Sequence, residues 1–298
     1  MSHNTNTKNK EKDARLDKKL SLAHHFQNEL PQYKDILNFF ELVINERGKY
    51  KAQLSSTYDL PHIDDPVYYE SRFQKGLPLL VKDNIKIDNK IATAHAIKLL
   101  NILESKSNAK ISDDLINQQI DFSFKAIFND FINKDLTSPN DDSLIFLINE
   151  TLKPVLEIYA DTLKDHITPD KWTKGFCPVC GEHPVMSALQ NDAGKRMLIC
   201  PVCGSEWSFQ RTQCPFCENQ DQQQLSYLYV ENDNRYRIEL CEKCGQYLKT
   251  IDLRKVDDVI DYEIENIVTL HLDIIARDKG YTNNYPEDSS SAVTHFYN

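Results

Sequence analysis

Apolar residues recur at intervals of three and four along most of the chain before residue 172, and this spacing predicts α-helices. Pro154 lies within one of these stretches and either kinks its helix or starts a new one. Four to six packed helices are therefore expected, with their aromatic and aliphatic stripes forming the core. The stretches with this spacing are 33–43, 92–103, 115–131 and 143–167.

Further along, the chain contains two candidate β-hairpins, each between two C-x-x-C turns, which we call knuckles. The first reads HPVMSALQ, a turn NDAG, then KRMLI; the second reads LSYLYV, a turn ENDN, then RYRIEL. Each half therefore has the order knuckle, strand, turn, strand, knuckle, which is an internal repeat. Helical spacing returns from Val256 to Ile275, and Gly280 is placed to end that helix.

These patterns predict an α+β fold with an N-terminal all-α helical domain, two tandem four-cysteine modules of small antiparallel β-hairpins, and a C-terminal helix. We expect the boundaries to be a flexible basic tail over 1–20, the helical domain over 21–171, the first module over 172–208, the second over 209–256, the C-terminal helix over 257–280 and a flexible tail over 281–298.

Charge divides the chain in the same places. The net charge of the 298 residues is −10, but residues 1–20 carry +3, residues 172–256 are neutral and residues 257–298 carry −7. The apolar runs are too short for a membrane span, and the N-terminus has no apolar segment of a secretory signal. A cytoplasmic protein without membrane insertion is expected.

All eight cysteines lie in the neutral segment, and every one belongs to a knuckle. Reducing cytoplasm disfavours disulfides, and two knuckles can supply the four thiolates of a tetrahedral metal site. Two metal ions are therefore expected, with all eight cysteines as ligands. The consecutive grouping is favoured because each half then closes its own site through short connections. An interleaved cross-brace, with 177, 180, 214 and 217 in one site, stays open. The ligands are Cys177, Cys180, Cys200, Cys203, Cys214, Cys217, Cys241 and Cys244.

The residues around the knuckles resemble the formate dehydrogenase accessory protein family FdhE. The resemblance rests on FCPVCGEHPVMSAL, KRMLICPVCGSEW, RTQCPFC and YRIELCEKCGQYLKTID, and it extends to SRFQKGLPLL near residue 75 and TLHLDIIARDKGY near residue 275. It implies rubredoxin-like, or zinc-ribbon, modules in a cytoplasmic maturation factor. It further implies binding to the catalytic subunit of a molybdenum or tungsten formate dehydrogenase, and iron in the four-cysteine sites. Ligand chemistry alone suits zinc equally well.

Two other functions compete with maturation. A nucleic-acid-binding zinc ribbon is disfavoured, because four thiolates around a divalent ion add −2 per site to a segment that has no basic excess. A rubredoxin-like electron carrier is the stronger alternative. No HExxH or G-x-S-x-G motif occurs, and no cysteine lies outside a C-x-x-C pair, so no catalytic residue is predicted and the chain is not expected to be an enzyme.

Several aromatic and basic side chains follow closely on the knuckles, and they either cover the metal sites or form a partner surface. We expect the covering role at least as strongly as the partner surface, and none of these residues is predicted to form a binding site. The scattered histidines, His95 included, are interpreted as surface or capping residues. The sequence does not say whether the chain dimerises. The residues that follow the knuckles are Trp207, Phe209, Arg211, Tyr247 and Lys249.

Overall fold

The described part of the N-terminal half is mainly helical. The structure, a computed structural model, describes residues 3–57, 66–81, 85–106, 142–230, 233–256 and 259–283. Three of the four predicted helical stretches lie in helices, and the one expected over 115–131 falls outside the described residues. Among the described residues, no helix has both the length and the apolar character that a membrane span requires. The helices are α1 (His3–Glu29), α2 (Lys34–Thr57), α3 (Pro66–Gln74), α4 (Asn89–Lys106) and α5 (Asp142–Leu163).

Helix α2 lies at the centre of the helical domain, where it contacts α1, α4 and α5. Leu37 and Ile44 belong to a cluster shared with α1, whereas Tyr50 and Leu54 belong to the larger cluster that contains α5. Fully burying one such side chain stabilises the fold by about 1.5–3 kcal/mol. Apolar packing on two sides therefore holds α2 in place.

Two helices differ in extent from the pattern. Helix α1 begins at His3 and so runs through most of the segment 1–20, for which a flexible tail is predicted. Leu16 and Leu20 of this helix pack against a buried cluster, and that burial is a tertiary contact that a polar composition does not reveal. Pro154 lies inside α5, which continues to Leu163 rather than starting again at the proline.

Six strands form one mixed sheet in the order β3-β2-β1-β6-β5-β4. The predicted segments KRMLI and LSYLYV are β2 and β4, and the two hairpins are antiparallel as expected. The α+β fold class is confirmed. The strands are β1 (Met186–Gln190), β2 (Lys195–Ile199), β3 (Glu206–Ser208), β4 (Leu225–Val230), β5 (Asp233–Cys241) and β6 (Gln246–Asp252).

The two modules share this sheet, because β1 of the first pairs in parallel with β6 of the second. At the seam, the buried hydroxyls of Ser187 and Thr250 lie 2.7 Å apart and satisfy each other. The repeat in the sequence thus folds as two halves of one sheet.

The C-terminal helical segment is two helices, α6 (Tyr262–Val268) and α7 (Leu270–Asp278), instead of the single helix expected over 257–280. The chain breaks at Thr269, whose backbone leaves the helical region and whose hydroxyl donates to the Glu265 carbonyl oxygen at 2.7 Å. Gly280, with φ of +84°, follows the last turn in the left-handed conformation predicted for it.

An ion-pair network attaches α6 to the helical domain. The Glu263 carboxylate accepts from Arg47, from Lys19 at 2.6 Å and from Lys153 at 2.8 Å. Burial opposes ionisation of this carboxyl, but the three cations hold its pKa well below the usual range. Removing one partner of such a buried network leaves an uncompensated charge, so the network fixes where α6 can dock.

Candidate metal centres

The first cluster of sulfur atoms combines the knuckle before β1 with the knuckle after β2. The Sγ atoms of Cys177 and Cys203 are 3.6 Å apart, and those of Cys180 and Cys200 are 3.4 Å apart. The first knuckle is closed by the Gly181 N–H, which donates to the Cys177 carbonyl oxygen at 2.9 Å. We call this set the first centre.

The second cluster repeats this arrangement with the knuckle before β4 and the knuckle after β5. The Sγ atoms of Cys214 and Cys244 are 3.7 Å apart, as are those of Cys217 and Cys241. Glu218 has a φ of +58° and occupies the left-handed position that a glycine fills in the other three knuckles. We call this set the second centre.

The cysteines therefore come together in the consecutive grouping, not in the cross-brace. Within each set, one ligand atom from every cysteine lies within 4.8 Å of the others. A tetrahedral ion with metal–sulfur bonds of about 2.3 Å requires sulfur atoms about 3.8 Å apart, so small adjustments would close either site. Four soft thiolate donors suit zinc and iron alike.

Burial opposes ionisation of the free thiols. It raises the pKa of the Cys180 thiol well above its ordinary value, and it raises the pKa of Cys214 to about 12. At Cys203 and Cys241, burial is outweighed by hydrogen bonds from neighbouring groups, which lower the pKa. Four neighbouring thiolates would also repel one another in this environment. A bound cation offsets both effects, because metal binding releases the thiol protons. The donor set thus fits a divalent or trivalent ion.

The two centres differ in exposure. All four cysteines of the first centre are buried and belong to the same hydrophobic cluster as α5. In the second centre, Cys217 and Cys244 are half-buried. The first centre is thus part of the protein core, whereas the second lies at the surface.

Segments far away in the sequence support the knuckles. Backbone N–H groups of Leu79 and Leu80 donate to the carbonyl oxygens of Pro178 and Val179 in the first knuckle, at 2.9 and 2.8 Å. The Thr282 N–H, beyond α7, donates to the Gly245 carbonyl oxygen at 2.8 Å. The segment SRFQKGLPLL and the residue that follows TLHLDIIARDKGY thus contact one knuckle of each centre.

The polypeptide segments around the two centres also pack against each other. A Cβ on Gly175 would lie 1.8 Å from the carbonyl oxygen of Pro215. The chain just before the first knuckle (177–180) therefore lies directly on the third knuckle (214–217). The His183 and Phe216 rings have centroids 5.6 Å apart at the same contact. Only glycine permits this approach of the two backbones.

The side chains that follow the knuckles are mostly buried. Trp207, Phe209, Tyr247 and Lys249 lie in the interior, where Lys249 pairs with Asp273 at 2.7 Å. This burial supports the covering role for these four side chains. Arg211 alone in this group is exposed.

Two buried polar residues stand out that the sequence pattern did not identify. His95 is buried and stacks on Tyr50 with ring centroids 4.1 Å apart, so its interpretation as a surface residue is wrong. Arg196, 2% exposed, donates to Glu239 at 2.7 Å and to the Gln210 and Gln213 carbonyl oxygens at 2.5 Å. It joins the first module to the second. A lone arginine in a strand carries no signal for such a role.

Comparison with known proteins shows which proteins this chain is similar to. The model of the FdhE central domain matches residues 176–211, and that of the FdhE C-terminal domain matches residues 212–287. The Protein FdhE homolog of Aquifex aeolicus is 29% identical over 280 residues, which cover 92% of this chain and 93% of that protein. The chain is thus similar to FdhE proteins over nearly its whole length.

Other FdhE relatives match over shorter regions. The Enterobacter homolog is 37% identical over 109 residues, about a third of either chain, and the Haemophilus ducreyi homolog is 29% identical over 221 residues, or 71% of this chain and 64% of that one. The crystal structure of the FdhE protein from Pseudomonas aeruginosa matches with a TM-score of 0.58 and 20% identity over 84% of this chain and 88% of that one. This last match shows a shared fold.

Proposed function

We propose that this protein is a member of the FdhE family and a cytoplasmic accessory factor for formate dehydrogenase, and that it binds the catalytic subunit of that enzyme through the metal-stabilised double-ribbon scaffold. Similarity to FdhE proteins, together with two complete four-sulfur clusters in one sheet, supports the proposal. The proposal assigns the chain no reaction of its own. Its role would be to present a surface that the metal sites hold in shape.

Each centre would hold one metal ion on its four cysteines. Family resemblance favours iron, and zinc is the alternative that the ligands fit equally well. When bound, either ion supplies cross-linking of the knuckles, and iron would also supply a ferrous–ferric couple. The chain itself contributes the cysteines and the backbone turns that aim them. These sites would add metal cross-links to the apolar packing of the two modules.

The test is co-purification with the catalytic subunit of a molybdenum or tungsten formate dehydrogenase produced in the same cells. We expect the full-length chain to retain that subunit and to oxidise no formate by itself. A variant with Cys214→Ser and Cys217→Ser should lose most of this retention, and Lys164→Gln, at an exposed lysine, serves as the control. Recovery of RNA or ribosomal proteins in place of the subunit would contradict the proposal.

Electron transfer is a second candidate, and one observation favours it. The second centre has two half-buried cysteines, and exposure of this kind brings a metal close enough to a partner for electron exchange. A ferric site of this type would colour the protein red and bleach on reduction. Isolated anaerobically from iron-rich cells, a colourless protein with two zinc ions would exclude this candidate and leave the accessory role in place.

A further inference from the structure

A groove of about 440 Å³ lies on the sheet beside the second centre. Its wall on one side is formed by β4 and β5, and on the other by the segment 211–216, which includes the third knuckle. Cys214 and Cys241 line it, so a bound molecule would lie against the second centre. Neither centre needs the space in this groove to bring its four sulfur atoms together.

Cations converge on this groove. A Cβ on Gly194 would lie 2.9 Å from Nη1 of Arg211 and also 2.9 Å from Nη1 of Arg254, so the two guanidinium groups meet over the turn between β1 and β2. Arg254 is paired with Asp252 at 2.7 Å. In the described part of the chain, the Arg211 guanidinium has one hydrogen-bond partner, the Ala193 carbonyl oxygen at 3.4 Å.

The local charge has the opposite sign to that of the chain. Four arginines line the groove, Arg196, Arg211, Arg237 and Arg254, against one carboxylate, Glu239, which accepts from Arg196 and Arg237. Lys255 lies beside the groove, with its Nζ 5.6 Å from the centroid of the Tyr229 ring. A metal-bound second centre would reduce this excess without reversing it. The chain as a whole carries −10. A concentration of cations on such a protein indicates a site for negative charge.

Strand β4 forms the outer edge of the groove. In the described residues it pairs with β5 alone, so its other backbone edge has no strand partner. Its six residues include no charged side chain, which is the usual protection of an exposed edge. Tyr227 and Tyr229 are 57% and 55% exposed, beneath Arg237 and Lys255 with cation-to-centroid distances of 5.2 and 5.6 Å.

We propose that the free edge of β4, at the rim of this groove, binds an extended, acidic peptide segment of a partner protein, which pairs with that edge and directs its carboxylates into the groove towards Arg211, Arg237 and Lys255. A peptide satisfies the strand edge through backbone hydrogen bonds, which a nucleic acid does not supply. The two tyrosines supply apolar contact between the charged positions. The proposal rests on the proposed function in that the partner would be the formate dehydrogenase catalytic subunit.

The probe is a fluorescent peptide of about eight residues with alternating glutamate and valine, a length that suits a strand. It is titrated against the full-length, metal-loaded protein and followed by anisotropy. We expect saturable binding that weakens with added salt, and little binding of the same peptide with lysine in place of glutamate. Methylation of alternate backbone nitrogens keeps the charge but removes the strand donors, so it should abolish binding.

The protein variant for this test is R211Q/K255Q, and its matched control is K75Q/K164Q, which removes the same charge at exposed lysines elsewhere. The first should bind the acidic probe about 10-fold more weakly than wild type, and the control within about 2-fold. Equal binding by the two variants, or equal binding of the acidic and methylated peptides, would overturn the proposal.

Co-purification separates this inference from the proposed function. If wild type and R211Q/K255Q retain the catalytic subunit equally, the groove proposal fails and the accessory role stands. If the acidic probe binds as expected but wild type retains no catalytic subunit, the groove stands and the proposed function fails.

Discussion

At the scale of single residues, the cysteines of each centre act as a unit. Because the first centre uses Cys177, Cys180, Cys200 and Cys203, the change Cys177→Ser with Cys180→Ser should release one metal ion and leave the other on the second module. Elemental analysis should fall from two ions per chain to one. Loss of both ions would indicate a binuclear cluster or strong coupling between the modules.

At the same scale, His95 makes the free energy of unfolding depend on pH. Burial lowers its pKa to about 4, below the unfolded value of 6.5, while the Glu46 carboxylate opposes that shift. The folded state therefore favours the neutral ring. Its stabilising contribution is complete above pH 6.5 and decreases as the pH falls towards 4.

Replacing His95 with phenylalanine keeps a ring on Tyr50 and removes the titration. Between pH 6.5 and about pH 5, the free energy of unfolding of wild type should fall by about 2 kcal/mol more than that of the variant. Urea titrations at the two pH values, with the metal content checked, measure this difference. His25→Phe, at an exposed position, should behave as wild type; identical pH dependence in the His95 variant would refute the assignment.

At the scale of elements, the contact between the two modules depends on Gly175. Gly175→Ala places a methyl group against the Pro215 carbonyl oxygen and forces the first and third knuckles apart. We expect a loss of about 3 kcal/mol or more in stability, measured by thermal unfolding of the metal-loaded protein.

Gly204→Ala is the matched control for this change. Its Cβ would meet no atom within 4 Å, so the cost should be only the backbone strain of a φ of +69°, about 1 kcal/mol. Equal destabilisation by the two variants would show that the approach of the knuckles does not matter.

At the scale of the whole molecule, the two centres differ in their connection to the hydrophobic core. The cysteines of the first centre share a hydrophobic cluster with α5 and α2, whereas the cluster centred on β5, β6 and α7 contains no cysteine of the second centre. Loss of the first ion should therefore destabilise the helical domain. Loss of the second should stay near β4 and β5.

Hydrogen exchange on Cys180→Ser and Cys217→Ser tests this asymmetry. In Cys180→Ser, amide protection in α5 should drop by about tenfold or more. In Cys217→Ser, protection in α5 should match wild type, while β4 and the third knuckle exchange faster. Equal exchange in α5 for the two variants would contradict this difference between the two centres.

The helices, the hairpins and the two sets of four cysteines could be predicted from the sequence, because they depend on local signals. Apolar periodicity, turn residues and C-x-x-C spacing all act within a few residues. The consecutive grouping of the cysteines also follows from short connections, as Cys180 and Cys200 illustrate. The break at Thr269 and the helix before residue 20 depend on packing, and local periodicity missed both.

The sequence by itself thus determined the element types, the two four-cysteine sets and the family resemblance, since each rests on residues close together in the chain. Only the tertiary structure decided that β1 and β6 join the modules into one sheet, that His95 and Arg196 are buried, and that Arg211 and Arg254 converge over the turn between β1 and β2. These contacts unite residues more than 40 positions apart or set the burial of one side chain. Such contacts follow from how the faces of the elements pack, which no local pattern encodes.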